Sequence, residues 1–220
     1  MKKTILLILF LLLTITVSSQ TIISRNWLSI KHDDITLYLT KDTLSLISKH
    51  KLKYENFLKI NHERDDKWFR DRYLDKYDKK FYIRSGYDLG HLTPSDITSY
   101  DKITNHNSFS LFNQAPQLAG FNRGKWARLE RKINDTISKY KVNSVIITGV
   151  IYDANNVVYL PNSKIKIPFV FYKIIFIDDK IYSWIGSNLN GEIVRSSLKT
   201  INELLSKNKM GVSIKNNSKL

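Results

Sequence analysis

Two short segments of this chain hold the residue types that hydrolysis needs: Asp88-Leu89-Gly90-His91, and Asn122-Arg123-Gly124-Lys125-Trp126-Ala127-Arg128-Leu129-Glu130. An imidazole with an unperturbed pKa of about 6.5 accepts a proton from water near neutral pH, which makes His91 the candidate general base. The amide oxygen of Asn122 is a hard neutral donor suited to Mg²⁺, an ion that keeps several waters and takes few protein ligands. Glu130 supplies a carboxylate that can accept hydrogen bonds from those waters. Together these groups could carry out metal-assisted phosphodiester hydrolysis. Each also has an ordinary structural reading: Asn122 as a helix N-cap, Glu130 as a solvated boundary residue, Gly90 as the centre of a turn or bulge. His32, His50, His62 and His106 share no ligand-like spacing and read as surface or structural residues.

Pro94 follows the first segment closely, and the second opens a helical pattern. Apolar residues fall at Trp126, Leu129, Ile133, Ile137 and Tyr140, steps of three or four that make one stripe. On an ideal helix Asn122 and Glu130 lie roughly 80° apart, two turns along the axis. Lys125, Arg128, Arg131 and Lys132 project from the outer face. Residues 142–152 read as a buried strand ended by a turn at 153–156, and 169–177 with 181–185 as a hairpin about Asp178-Asp179-Lys180. Residues 43–59 fit either an amphipathic helix or short strands, and 22–38 could hold a first strand. Trp126, Trp184, Phe169 and Phe171 are assigned to the core. The reading is α+β, with a mostly antiparallel central sheet flanked by helices.

Met1-Lys2-Lys3, an apolar run from Ile5 to Val17 and Ser18-Ser19-Gln20 form a secretory signal pattern, too short for a good membrane span. The expected organisation is a signal peptide over 1–20, a lead-in segment over 21–42, the functional domain over 43–206 and a polar, frayed tail over 207–220. The protein is therefore expected to be exported, to the periplasm or the medium, without stable membrane association. With no cysteine, disulfides and lipid attachment at a cleavage-site cysteine are excluded. A net charge of +15 favours polyanions through long-range attraction and counterion release, without implying sequence preference.

The run Ser85-Gly86-Tyr87-Asp88-Leu89-Gly90-His91-Leu92-Thr93-Pro94, then Phe109-Ser110-Leu111-Phe112-Asn113-Gln114-Ala115-Pro116-Gln117, then Asn122-Arg123-Gly124 through Trp126 and Leu129-Glu130, resembles the DNA/RNA non-specific endonucleases of the ββα-metal class. That family includes secreted bacterial nucleases and mitochondrial endonuclease G. Thr148-Gly149-Val150-Ile151-Tyr152, Ile167-Pro168-Phe169 and Tyr172-Lys173-Ile174 look like its later core strands, and a helix over 197–205 looks like its terminal helix. The resemblance implies that His91 deprotonates the attacking water, Asn122 binds a single divalent ion directly and Glu130 holds that ion through water. It implies Mg²⁺, with Mn²⁺ or another divalent ion able to substitute, and 5′-phosphate products. Asn113 matches an asparagine that assists in the family's site, and Asp88 supports the motif's geometry. DNA and RNA are the implied partners, and a homodimer is compatible.

The chain departs from the family at Leu89, where an arginine usually stands. Leucine cannot neutralise a phosphate, and phosphoryl chemistry leans on such charges. Arg84, Arg123 and Lys125 are the candidate substrate-binding cations near the motifs, with Arg70 and Arg72 further upstream. The alternative reading is a catalytically impaired homologue that binds nucleic acid without cutting it. A third is an antibacterial toxin, against which the lack of an added translocation or receptor domain counts.

Overall fold

Residues 20–24, 28–40, 46–60, 63–69 and 78–216 are described in this computed structural model. The chain runs through strands β1 (Gln20–Ser24), β2 (Leu28–His32), β3 (Ile35–Leu39) and β4 (Ile47–Leu52), then a single helical turn, α1 (Tyr54–Phe57). Next come β5 (Tyr87–His91), α2 (Lys102–Ser108), β6 (Gln114–Leu118), α3 (Ala119–Phe121), a π-type turn over Asn122–Trp126, and α4 (Ala127–Tyr140). The rest is β7 (Ser144–Ile151), β8 (Val158–Tyr159), β9 (Lys166–Ile167), β10 (Val170–Ile177), β11 (Lys180–Ser187), β12 (Ile193–Ser196), α5 (Leu198–Lys207) and β13 (Val212–Asn216).

Seven strands form the central sheet in the order β12-β11-β10-β7-β4-β3-β2, every neighbouring pair antiparallel. β10 reads VFYKIIFI and is buried at all eight positions, as an almost unbroken apolar run at the centre of a covered sheet should be. Its odd-numbered residues face α4, whose Leu129, Ile133 and Ile137 are buried by the helical spacing that marked them in the sequence. Phe121, Trp126 and Phe171 close the junction, with edge-on ring contacts at 5.3–6.1 Å.

Several expectations are revised. The stripe on α4 stops at Ile137: Tyr140 is 61% exposed. The helix-or-strand ambiguity over 43–59 resolves as strand β4 followed by one helical turn, because alternate residues of β4 must pair with β3 and β7. The lead-in over 21–42 supplies β2 and β3 to the central sheet. The tail expected to fray returns as β13, which pairs antiparallel with β1 and buries Val212 and Ile214. The 178–180 hairpin turn forms, with Asp178 at φ 48°, and Ser197 caps α5 by accepting from the Thr200 amide. The signal-peptide expectation falls outside the described residues, apart from Gln20 at its end. Among the described residues, no helix is long and apolar enough to cross a membrane.

Candidate active site

β5 and β6 form a two-stranded antiparallel ribbon, with Asp88 opposite Gln117 and His91 opposite Gln114. Gly90 lies inside this ribbon, not in a turn. A Cβ there would come within 2.3 Å of Gln117 Oε1 and 2.6 Å of its Cβ, so the missing side chain is what lets the buried Gln117 cross beneath the strand. The ribbon and the helical run that leaves β6 face a cavity of about 410 Å³. Asp88, Leu89, His91, Asn122, Arg123 and Glu130 all line it, joined by Arg64 and Trp68 from an upstream segment.

His91 ends β5 with its ring tilted against Trp68 at 4.4 Å and edge-on to Phe109 at 4.9 Å. Nε2 is buried without a hydrogen-bond partner among the described residues. Burial, reinforced by the positive charge of Arg64, lowers its pKa to about 3, so the ring is unprotonated throughout the physiological range.

Asn122 is not an N-cap. It lies within a continuous helical run, in the π-type turn between α3 and α4, where Gly124 departs from helical geometry at φ −101°, ψ −107°. Its Nδ2 donates to Asp88 Oδ2 at 2.9 Å, which fixes the amide's orientation. Arg123 closes a fork on the same carboxylate, Nε to Oδ2 at 2.9 Å and Nη2 to Oδ1 at 2.6 Å. Burial pushes Asp88 upward, but the bonds from Arg123 and Asn122 and the charge of Arg123 outweigh it, and the carboxyl stays below its usual pKa. A carboxylate that takes the NH₂ end of Asn122 leaves the carbonyl oxygen as that side chain's ligating atom.

Glu130, three residues into α4, reaches back to the cavity. Lys173 on β10 donates to its Oε1 at 3.3 Å and to Thr148 Oγ1 at 2.8 Å, with Nζ 5.2 Å from the centroid of the Trp126 ring. The Lys173 side chain is only 2% exposed, and Glu130 opens 21% toward the cavity. Burial raises the Glu130 carboxyl while the Lys173 charge opposes that rise; burial lowers the Lys173 amine while Glu130 opposes that fall. The donor set fits a hydrated divalent ion: one fixed neutral oxygen, the Glu130 carboxylate with Asp88 and Asp96 also in the cavity lining, and no group of three or more His, Cys, Asp or Glu among the described residues placed to hold a metal ion.

The remaining expected residues lie elsewhere. Asn113 is fully buried and does not line the cavity. Its Oδ1 accepts from the Thr93 amide at 2.9 Å, and its Nδ2 donates to the carbonyls of Thr93 and Ser108, each at 2.8 Å. With both Nδ2 hydrogens and one acceptor site of Oδ1 spent on backbone, it ties the loop after His91 to the end of α2. Arg84 stands in the exposed turn before β5 at φ 57°, away from the cavity lining. Lys125 pairs with Glu192 and is likewise not a lining residue. Arg70 and Arg72 lie outside the described residues.

Two residues were missed by the reading of the sequence. Arg64 brings a guanidinium to the cavity, steadied by Asp66 and lying 5.3 Å over the Phe109 ring. Nothing marks it in a stretch dense with both charge signs. Lys173 did leave a signal: it is the one charged residue within the apolar run of β10.

An antiparallel ribbon followed by a helix, converging on an imidazole, a carboxamide and a carboxylate, is the ββα-metal nuclease arrangement. The chain matches the DNA/RNA non-specific endonuclease family over residues 18–218, and it belongs to that family. It is 40% identical over 72 residues to a mitochondrial nuclease of Saccharomyces cerevisiae, covering 32% of this chain and 22% of that one. To the mitochondrial endonuclease G of Caenorhabditis elegans it is 39% identical over 72 residues, covering 32% and 23%. To a nuclease of Nostoc sp. it is 28% identical over 147 residues, covering 64% and 50%. The matched stretches thus span between about a fifth and a half of these relatives. Among solved structures, the crystal structure of the EndoG/EndoGI complex aligns with a TM-score of 0.67 at 20% identity, covering 81% of this chain and 83% of that one. The fold is shared.

Proposed function

We propose that this protein is an exported endonuclease that hydrolyses phosphodiester bonds of DNA and RNA with little sequence preference. The observation that carries this reading is that His91, Asn122 and Glu130, from two separate segments of the sequence, line one cavity. His91 accepts the proton of the attacking water. It is neutral at working pH; burial is the larger cause of its lowered pKa, and a bound phosphate would offset the smaller contribution of Arg64. Asn122 would hold a divalent ion such as Mg²⁺ directly and Glu130 through water. Such an ion would supply Lewis-acid polarisation of the phosphate and neutralise the charge building on the leaving oxygen.

Asp88 keeps the Asn122 carbonyl turned outward, and Lys173 keeps Glu130 in place. Arg64 meets the phosphate where the family's motif arginine is replaced by Leu89, and Arg123 adds charge at the rim. Asn113 is a positioning residue that acts through Thr93. The impaired-homologue reading rested on Leu89 alone, and a guanidinium from a different segment lines the same cavity. Contacts of this kind grip phosphates and carry little base information. The test is nicking of supercoiled plasmid and cleavage of a folded RNA by purified protein with Mg²⁺, with EDTA, and with His91→Ala. Cutting with Mg²⁺ that both EDTA and the substitution abolish is expected. Binding without cutting under every divalent ion would overturn the proposal in favour of the non-catalytic reading.

A further inference from the structure

A second concave surface lies on the other flank of α4. At roughly 100° per residue, Ala127 and Glu130 fall on one side of the buried stripe Leu129–Ile133–Ile137, toward the cleavage cavity, and Lys132 and Thr136 on the other, with Tyr140 at the exposed C-terminal end of the stripe itself. That opposite flank and the β10–β12 part of the sheet enclose a groove of about 430 Å³, floored by Ile175 and Ile177 and walled by Tyr140, Tyr182 and Trp184, with Lys132 and Arg195 at its edges. Among the described residues, no carboxylate lines it. Arg195 lies over the Tyr182 ring at 5.6 Å and Lys139 over the Tyr140 ring at 5.5 Å, so each outer aromatic carries a cation beside it. Arg128, Lys132 and Lys139 fall within roughly 40° of one another along this side of α4, with the single acidic Asp135 at their solvent border.

Tyr140 is 61% exposed and lines the groove together with Tyr182 and Trp184. Aromatic faces set among cations, with no acidic lining, complement a polyanion whose repeating unit has a flat face. That is a nucleic-acid strand with its bases unpaired, since duplex bases keep their faces stacked on one another.

We infer that this groove is a second contact for substrate, taking an unpaired stretch of DNA or RNA with bases against Tyr140, Tyr182 and Trp184 and phosphates on Lys132 and Arg195. The inference rests on the nuclease reading and extends it: a strand held here keeps the cleavage cavity supplied at high local concentration.

The test is binding, measured apart from cutting. Full-length protein carrying His91→Ala, in EDTA, is titrated against a fluorescein-labelled oligothymidylate and a matched hairpin duplex, and anisotropy is read. Adding Tyr140→Ala should weaken oligothymidylate binding about fivefold or more, the low end of what one stacked base contributes, and leave the duplex within about twofold. Lys132→Ala with Arg195→Ala should lower the slope of log affinity against log salt by about 1.4, the release expected for two phosphates of a single strand. Tyr159→Ala, an exposed tyrosine elsewhere at 46%, should change nothing. Unchanged oligothymidylate affinity, equal loss for the duplex, or displacement by polyglutamate as effective as by unlabelled oligothymidylate would each overturn the inference. Because no turnover is read, a failed cleavage assay and a failed groove are told apart.

Discussion

Replacing Lys173 by Met removes one charge from beneath the site and nothing from its surface. The Lys173 side chain is 2% exposed and ends against Glu130 and Thr148. Breaking a buried ion pair from one side costs about 3–5 kcal/mol, because the remaining charge is stranded. Glu130 opens 21% toward the cavity, so water and partial protonation relieve part of that, and the low end, about 3 kcal/mol, is expected. Burial already raises the Glu130 carboxyl, with the lysine charge opposing it, so the variant should hold a protonated Glu130 to higher pH. Losing a group that orients a metal's surroundings typically costs 10–100-fold in metal affinity or rate. Lys173→Met with Glu130→Gln removes both charges and should recover stability to within about 1 kcal/mol of the parent, while activity stays low. Urea unfolding of parent, single and double variants at pH 7.5 reads the first effect, and Mg²⁺ titration of plasmid nicking reads the second. A single variant within about 0.5 kcal/mol of the parent, or a double variant no more stable than the single, would show that the pair carries none of the load assigned to it.

Asp88→Asn should raise the Mg²⁺ needed for half-maximal cleavage about 10–100-fold, since the amide of Asn122 loses the carboxylate that orients it; an unchanged metal requirement would refute this. Arg64→Ala should cost about 100-fold in kcat, on the scale of a lost transition-state donor, and more than Arg123→Ala, whose guanidinium is held in a two-bond fork by Asp88 while Arg64 makes a single hydrogen bond to Asp66; steady-state kinetics on one oligonucleotide compares them. Gly90→Ala should destabilise by about 1–3 kcal/mol or more by forcing Gln117 aside, read by thermal unfolding. His50 and His91 both have folded-state pKa values lowered to about 3. The unfolded chain therefore binds protons that the folded one refuses, and stability falls as pH drops from about 6.5 toward 3, by about 1.4 kcal/mol per pH unit per histidine. Urea midpoints from pH 7 to 4.5 measure that slope, which should roughly halve in His50→Leu.

What the sequence disclosed was whatever repeats at short range. The spacing on α4, the apolar run of β10 broken only by Lys173 and the Asp-Asp-Lys hairpin turn each write their geometry into neighbouring residues. Asn122 with Glu130 could be placed on one helical run for the same reason, although the π-type turn within it could not be foreseen. What stayed hidden depends on distant partners. Arg64 reaches the cavity from a charge-rich segment, Lys173 reaches it from the sheet, and Asn113 spends its amide on Thr93, a contact no local pattern encodes. β13 read as a polar end because its pairing partner, β1, lies at the far end of the chain.

The wide turn over Asn122–Trp126 holds more residues than an α-turn would, and each residue gained or lost there rotates the upstream side chains by roughly 100° relative to the downstream helix. Leu129, Ile133 and Ile137 anchor α4 against the sheet and Phe121 is packed on Trp126 and Phe171, so a change of length between these anchors would fall on the Asn122 carboxamide that lies between them. Shortening this turn by the single residue Gly124 would keep every reactive side chain in the gene and still dismantle their meeting point. The length of this turn is therefore itself part of the site.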